Sequence, residues 1–209
     1  MQSPNRDRCI IACLTLCLAA LILVAPGSAL HADFEIYENG SGYSAEIGII
    51  ESESYQFARP GLLGEAVPMT VRDIRLVNES GSVDFEQPRD SEITFPKGDY
   101  LLYYEGDLEG NSFSAVFSEP HNVTVFLPPA YGVTNLLLGY VSRGGSAEVD
   151  GDTGTVITWE EARFVEIRFY DDIRELALYA FGTIWIALMI ILLFTYYAMR
   201  LPKEEERPE

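Results

Sequence analysis

Beyond position 17 this chain of 209 residues contains no cysteine; its only three are Cys9, Cys13 and Cys17. A mature domain built from the remainder has no disulfide framework, no thiol nucleophile and no thiolate metal site, and must hold together by its hydrophobic core. Histidine is nearly absent as well, with only His31 and His121 present. No serine–histidine–acid set or zinc-ligand cluster can be assembled from their spacing, and neither a phosphate-cradling glycine loop nor a nucleophile elbow occurs. The many carboxylates would permit a glycosidase pair, but among so many acids chance proximity is expected. The chain is therefore read as a non-enzyme with no cofactor.

Basic charge is also scarce. The formal net charge is −18, and between Leu30 and Met199 there are 27 acidic residues against 9 basic ones, with Lys97 the sole lysine of that stretch. Such a field disfavours nucleic acid and anionic headgroups and suits cations, basic partners or a salty medium. Its simplest role is a solvated surface that keeps the domain soluble.

Two long hydrophobic runs are present, and they differ in character. Arg6 and Arg8 precede an apolar run from Cys9 to Val24, which Pro26 and Gly27 end before the small residues Ser28 and Ala29. This is the order of a secretory signal, residues 1–29, with cleavage after Ala29 and Ala32 as the alternative. An uncleaved anchor is the competing reading. Ile10-Ile11-Ala12-Cys13 imitates a lipobox, but most of the apolar run follows that cysteine instead of preceding it.

The second run, Leu176–Met199, has 24 residues and no charge. As a helix it extends about 36 Å at ~1.5 Å per residue, enough to cross a hydrocarbon core of about 30 Å with some tilt. Tyr179, Phe181 and Trp185 gather at one end and Tyr196 and Tyr197 at the other, where rings favour the interfaces. Arg200, Lys203 and Arg207 follow the run, whereas Asp171, Asp172 and Glu175 precede it with Arg174 the only nearby base. The positive flank points to the cytoplasm. The expected organisation is an extracellular domain over 30–172, a transmembrane helix over 173–200 and a cytoplasmic tail over 201–209.

The outer region reads as all-β. Short apolar runs predict strands at Phe34–Tyr37, Tyr43–Ile50, Val67–Val77, Val83–Phe85, Glu92–Phe95, Tyr100–Glu105, Ser112–Ser118, Asn122–Leu127, Leu136–Val141, Thr155–Trp159 and Phe164–Tyr170. Turn chemistry separates them, for instance Pro96-Lys97-Gly98-Asp99. Alternation is clean at Val123, Val125 and Leu127, and again at Val165, Ile167 and Phe169. Many short strands at this spacing suggest a β-sandwich or a partly open barrel. A boundary near Gln87–Asp90 would give two lobes, although one continuous sandwich fits better. Pro128-Pro129 ends a strand at Leu127, and the short segment Tyr170–Leu176 holds the domain close to the bilayer.

Few motifs suggest chemistry. Asn39, Asn78 and Asn122 each begin an N-glycosylation sequon, the first two in turns and the third at a strand start. Asp150 and Asp152 alternate as in oxygen-rich calcium loops, with Glu161 at the twelfth place from Asp150, but Thr155 holds the sixth place, where glycine is required. A hairpin turn between Ala147–Val149 and Thr155–Trp159 explains the same residues. Tyr100, Tyr103 and Tyr104 offer an aromatic face, but Tyr100 and Tyr104 alternate in phase with Leu102, as core residues do.

The C-terminal part carries a Leu127-Pro128-Pro129 step, a Gly144-Gly145 pair, a Thr155–Trp159 strand with its tryptophan, and a Phe164–Tyr170 strand leading into the membrane run. Over residues 125–199 it resembles an uncharacterised family of archaeal membrane-anchored surface proteins with a domain of unknown function. The resemblance implies an archaeal cell-surface protein and brings no catalytic residues. The expected function is a binding or structural module of the envelope; the alternative is an accessory subunit of a transporter or secretion complex. The expected partners are the lipid bilayer and envelope or membrane proteins, with no nucleic acid.

Overall fold

Four strands of 15 or 16 residues dominate the fold, and the rest of the described chain is arranged around them. The computed structural model describes residues 30–61, 63–151 and 153–200. Residues 1–29, read as a secretory signal, residues 201–209, read as a tail, and the single residues Leu62 and Asp152 lie outside them. In chain order the strands are β1 (Leu30–Ile36), β2 (Gly42–Gln56), β3 (Ala58–Pro60), β4 (Ala66–Pro68), β5 (Arg72–Asn78), β6 (Gly81–Ser82), β7 (Glu86–Arg89), β8 (Glu92–Asp107), β9 (Ser112–Leu127), β10 (Tyr131–Gly132), β11 (Tyr140–Val141), β12 (Ser146–Asp150), β13 (Gly154–Arg168) and β14 (Tyr170–Asp171). A single helix, α1, runs from Asp172 to Arg200.

One ten-stranded sheet has the order β11-β13-β9-β1-β2-β8-β5-β6, with β12 added on β13 and β7 on β8. All its pairings are antiparallel except β1 with β9. The sheet folds over itself. If β9 were straight, Phe113 would lie roughly 40 Å from Val125 at ~3.3 Å per residue. Instead Phe113 packs 4.8 Å from the ring of Phe34, the residue opposite Val125. Likewise Phe57, one residue past β2, lies 5.0 Å from Tyr104, which pairs with Ala45 near the start of β2. Both long hairpins therefore turn back midway and enclose their apolar faces.

The bends share one construction. In β2 the register shifts after Ile49 and Glu51 adopts a φ of 50°; in β13 it shifts after Trp159 and Glu161 adopts 49°. Each extra residue frees a backbone N–H, and a side chain across the hairpin accepts it: Asp99 Oδ1 at 2.9 Å for Glu51 and Asn122 Oδ1 at 3.1 Å for Glu161. Such bulges bend a strand and tighten its twist. Pro96 and Pro120 lie beside the two bends, where no ladder donor is needed. The turn chemistry legible at Pro96–Asp99 is thus a bend within one strand. Three pairs of predicted strands are joined in this way as β8, β9 and β13.

Other sequence expectations are corrected. The predicted strand Val67–Val77 is interrupted between β4 and β5, and Val83–Phe85 is not a strand. Gln87–Asp90, weighed as a lobe boundary against the preferred single sandwich, lies in and beside β7, which pairs with β8, and one core cluster runs from Ala32 to Phe169. The strand predicted over Leu136–Val141 survives only at Tyr140–Val141. Upstream of it the amides of Leu138 and Gly139 donate to the carbonyl of Asn135 at 3.1 and 2.7 Å, and that of Leu137 to its side chain at 3.0 Å, forming a turn. The hairpin around Asp150–Gly154 is present as β12 and β13.

Candidate functional site

A broad concavity lies at the end of the sheet from which α1 departs. Here the β3–β4 hairpin hangs over the outer half of β9 and the adjoining half of β13. The cleft encloses about 720 Å³. Its floor is apolar: Phe113 and Tyr43 come from the core, and Tyr43 reaches Met69 Sδ at 3.9 Å. Burial pushes the Tyr43 hydroxyl well above its ordinary pKa of 10.0, so it stays a neutral donor. The rim is acidic, with Glu65, Asp107, Glu109 and Glu166 around a single arginine, Arg59. Arg59 pairs with Glu109 across the mouth and ties the hairpin to the β8–β9 turn, while Arg72 holds Asp107 at 2.7 Å. Both pairs are largely exposed and contribute little to stability. The arrangement offers an apolar seat beneath carboxylates, suited to a side chain or segment with positive charge.

The two histidines, ninety positions apart in the chain, lie near each other at the opposite end. His31 is on β1 and His121 is at the bend of β9, where Leu30 faces His121. His121 is 6% exposed, stacks on Phe117 at 4.5 Å and donates from Nδ1 to the Glu119 carbonyl at 2.8 Å. Desolvation lowers its pKa below the ordinary 6.5, opposed by the carbonyls of Glu119 and Gly48 and by the charge of Glu119, with His31 adding a further downward push. The parallel pairing of β1 with β9 creates this neighbourhood, and no local motif announces it.

Of the calcium-like residues, Asp150 and Glu161 are not brought together. Asp150 faces Gly154 at one end of β13 and Glu161 occupies the bend, roughly 20 Å away along the strand at ~3.3 Å per residue. Among the described residues no three His, Cys, Asp or Glu side chains form a cluster able to hold a metal. The sequon asparagines divide by environment. Asn39 is exposed and accepts the Ser41 amide at 3.0 Å and its hydroxyl at 2.8 Å; Asn78 is half-buried and accepts the Ser80 amide at 2.9 Å. Asn122 is exposed, but its side-chain oxygen serves the Glu161 bend. The tyrosines divide as their alternation suggests. Tyr100 and Tyr104 are buried in the core, and Tyr103 faces outward with Arg75 stacked 5.5 Å over its ring.

Trp159 and the Gly144-Gly145 pair, separate features in the sequence, form one packing unit. A Cβ on Gly145 would fall 2.6 Å from the indole nitrogen, so only glycine fits there. The Trp159 indole N–H donates to the Ser142 carbonyl at 3.3 Å, and the Ser142 hydroxyl accepts the Glu166 amide at 3.0 Å.

A folded-over β domain running straight into one exposed apolar helix defines the class: a β-rich protein with a C-terminal helix long and apolar enough to span a membrane. The chain belongs to a family of unknown function, DUF5803, which matches residues 30–209 and so takes in the N-terminal half of the domain as well as the stretch that carried the resemblance. No curated protein matches the chain.

Proposed function

We propose that this protein is a membrane-anchored cell-surface module, binding or structural in role and not catalytic. The carrying observation is the junction between sheet and helix. Phe169 and Tyr170 are buried, β14 is pinned by β10, and Asp172 already begins α1, so no linker intervenes. A domain mounted this stiffly presents fixed surfaces at a fixed height above a bilayer. In this reading the sheet domain is extracellular, the C-terminus is cytoplasmic and the source is an archaeal envelope. The acid-rimmed cleft receives a basic segment of an envelope or membrane partner.

The test combines three measurements on intact cells. Alkaline carbonate should leave the protein in the membrane fraction, added protease should remove the sheet domain, and cross-linking should capture partners that are lost in a Glu65→Lys/Glu109→Lys variant. Protection from protease, or unchanged cross-links in that variant, overturns the surface role or the role of the cleft respectively. An accessory-subunit role would rest on α1: none of its 29 residues is buried, and Ala177 and Ala180, three apart on one face, leave room there for a neighbouring helix. Extraction in mild detergent as a stable complex with a transporter would select that reading.

A further inference from the structure

Two of the most exposed large hydrophobic residues lie in one short loop of the sheet domain. Leu136 is 97% and Leu137 is 78% exposed. They form the tip of an excursion whose ends, Val133 and Gly139, touch; a Cβ on Gly139 would collide with the Val133 carbonyl. The loop is fastened beside the root of α1, because the Asn135 amide donates to the Tyr170 hydroxyl at 3.1 Å and Tyr140 faces Arg168. Tyr170, which holds the loop through Asn135, stands at most about 13 Å above Leu176, counting ~3.3 Å per extended residue and ~1.5 Å per helical one. A five-residue excursion projects up to about 8 Å, long enough to reach the headgroup layer that separates a core of about 30 Å from a total thickness of about 40–45 Å.

We infer that the loop Val133–Gly139 is a second membrane contact, with Leu136 and Leu137 seated in the interfacial layer of the bilayer beside α1. This rests on the reading of α1 as a membrane span. Two further observations favour lipid as the occupant. Three amides of the tip are satisfied within the loop: those of Leu137, Leu138 and Gly139 all donate to Asn135, which lowers the cost of entering a poorly hydrated layer. The surrounding sequence also avoids negative charge. No acid occurs from Pro120 to Ala147, 28 residues in an otherwise strongly acidic chain. Arg168 faces Tyr140 at the end of the loop and Arg143 follows it in sequence, and both suit phosphate groups; the first turn of α1 adds Asp172 and Glu175, after Asp171, which accepts the Arg174 amide at 2.8 Å. The loop itself thus adds no repulsion between this acidic protein and headgroups.

The test uses the full chain in phosphatidylcholine nanodiscs, with Cys9, Cys13 and Cys17 replaced by serine and one nitroxide-labelled cysteine at a time. Labels at Leu136→Cys and Leu137→Cys should favour collision with oxygen over a water-soluble nickel chelate several-fold more than a label at Ile50→Cys, which is exposed beside the two histidines at the opposite end of the sheet. Leu188→Cys, mid-helix, reports on the anchor itself. Labels at Leu136 and Leu137 as chelate-accessible as Ile50 overturn the proposal while leaving the anchor intact. Loop labels shielded from both reagents mean that protein covers the loop, and also overturn it. A chelate-accessible Leu188 overturns both readings.

Discussion

Ile167 and Ile186 are the same residue on either side of the β14–α1 junction, yet Ile167 is fully buried and Ile186 is 64% exposed. The contrast holds for the two regions as wholes. In the sheet domain alternate residues turn inward and one core closes over them. In α1 none of the 29 residues is buried. Burying apolar surface stabilises by about 25 cal/mol per Å². The sheet obtains that stabilisation within the chain, and the helix obtains it only from another apolar medium. One region is complete by itself, and the other leaves its apolar surface open, in a helix long and apolar enough to span a membrane.

That contrast can be broken most forcefully at Phe113, which packs on both Phe34 and Tyr43 where the sheet closes. Phe113→Ala should cost about 3–5 kcal/mol in urea unfolding of the domain, whereas Leu188→Ala in α1 should leave the midpoint within about 0.5 kcal/mol. Equal effects would mean that helix and sheet unfold as one unit. Next come the two bends. Glu51→Gly and Glu161→Gly remove a left-handed strain of roughly 1 kcal/mol each and should raise stability by about that amount. Asn122→Ala, which leaves the exposed Glu161 amide to water, should lower it by about 0.5–1 kcal/mol.

A smaller effect is a pH dependence confined to the sheet. The His121 pKa is depressed in the fold, so below the ordinary 6.5 the unfolded chain takes up a proton that the native state refuses. Stability should be unaffected by this group above that pH and fall as pH drops through it. His121→Gln should flatten this part of a thermal-unfolding profile between neutral and mildly acidic pH; an unchanged profile would assign the slope to other groups. Smallest of all, Arg72→Ala removes an exposed pair with Asp107 and should shift stability by less than about 0.5 kcal/mol.

Much of the architecture was legible because it is written in local pattern. The alternation at Val123–Leu127 and Val165–Phe169 placed those residues inward, where Val125, Ile167 and Phe169 are indeed fully buried. Illegible was the continuity of strands across Pro96–Asp99, Glu119–His121 and Glu160–Arg163. Turn-forming residues have the same composition whether a chain reverses direction or a strand merely bends, and only the partner strand decides between them. The cleft was missed because its lining comes from β2, β3, β4, β8, β9 and β13, each contributing residues without a shared motif. Leu136 and Leu137 were read as strand because apolar runs favour strands; the competing bonds to Asn135 are a local device whose outcome depends on Tyr170 holding the loop in place.

Composition and period alone determined that this protein has a cysteine-free, acidic β domain followed by a helix too apolar for water, since residue type and spacing suffice to set those properties. Which strands are one strand, how the sheet doubles over, why two distant histidines become neighbours and which leucines stay outside were decided only in three dimensions. Those outcomes depend on hydrogen bonds and packing between residues far apart in the chain, and such pairings leave no trace in local order.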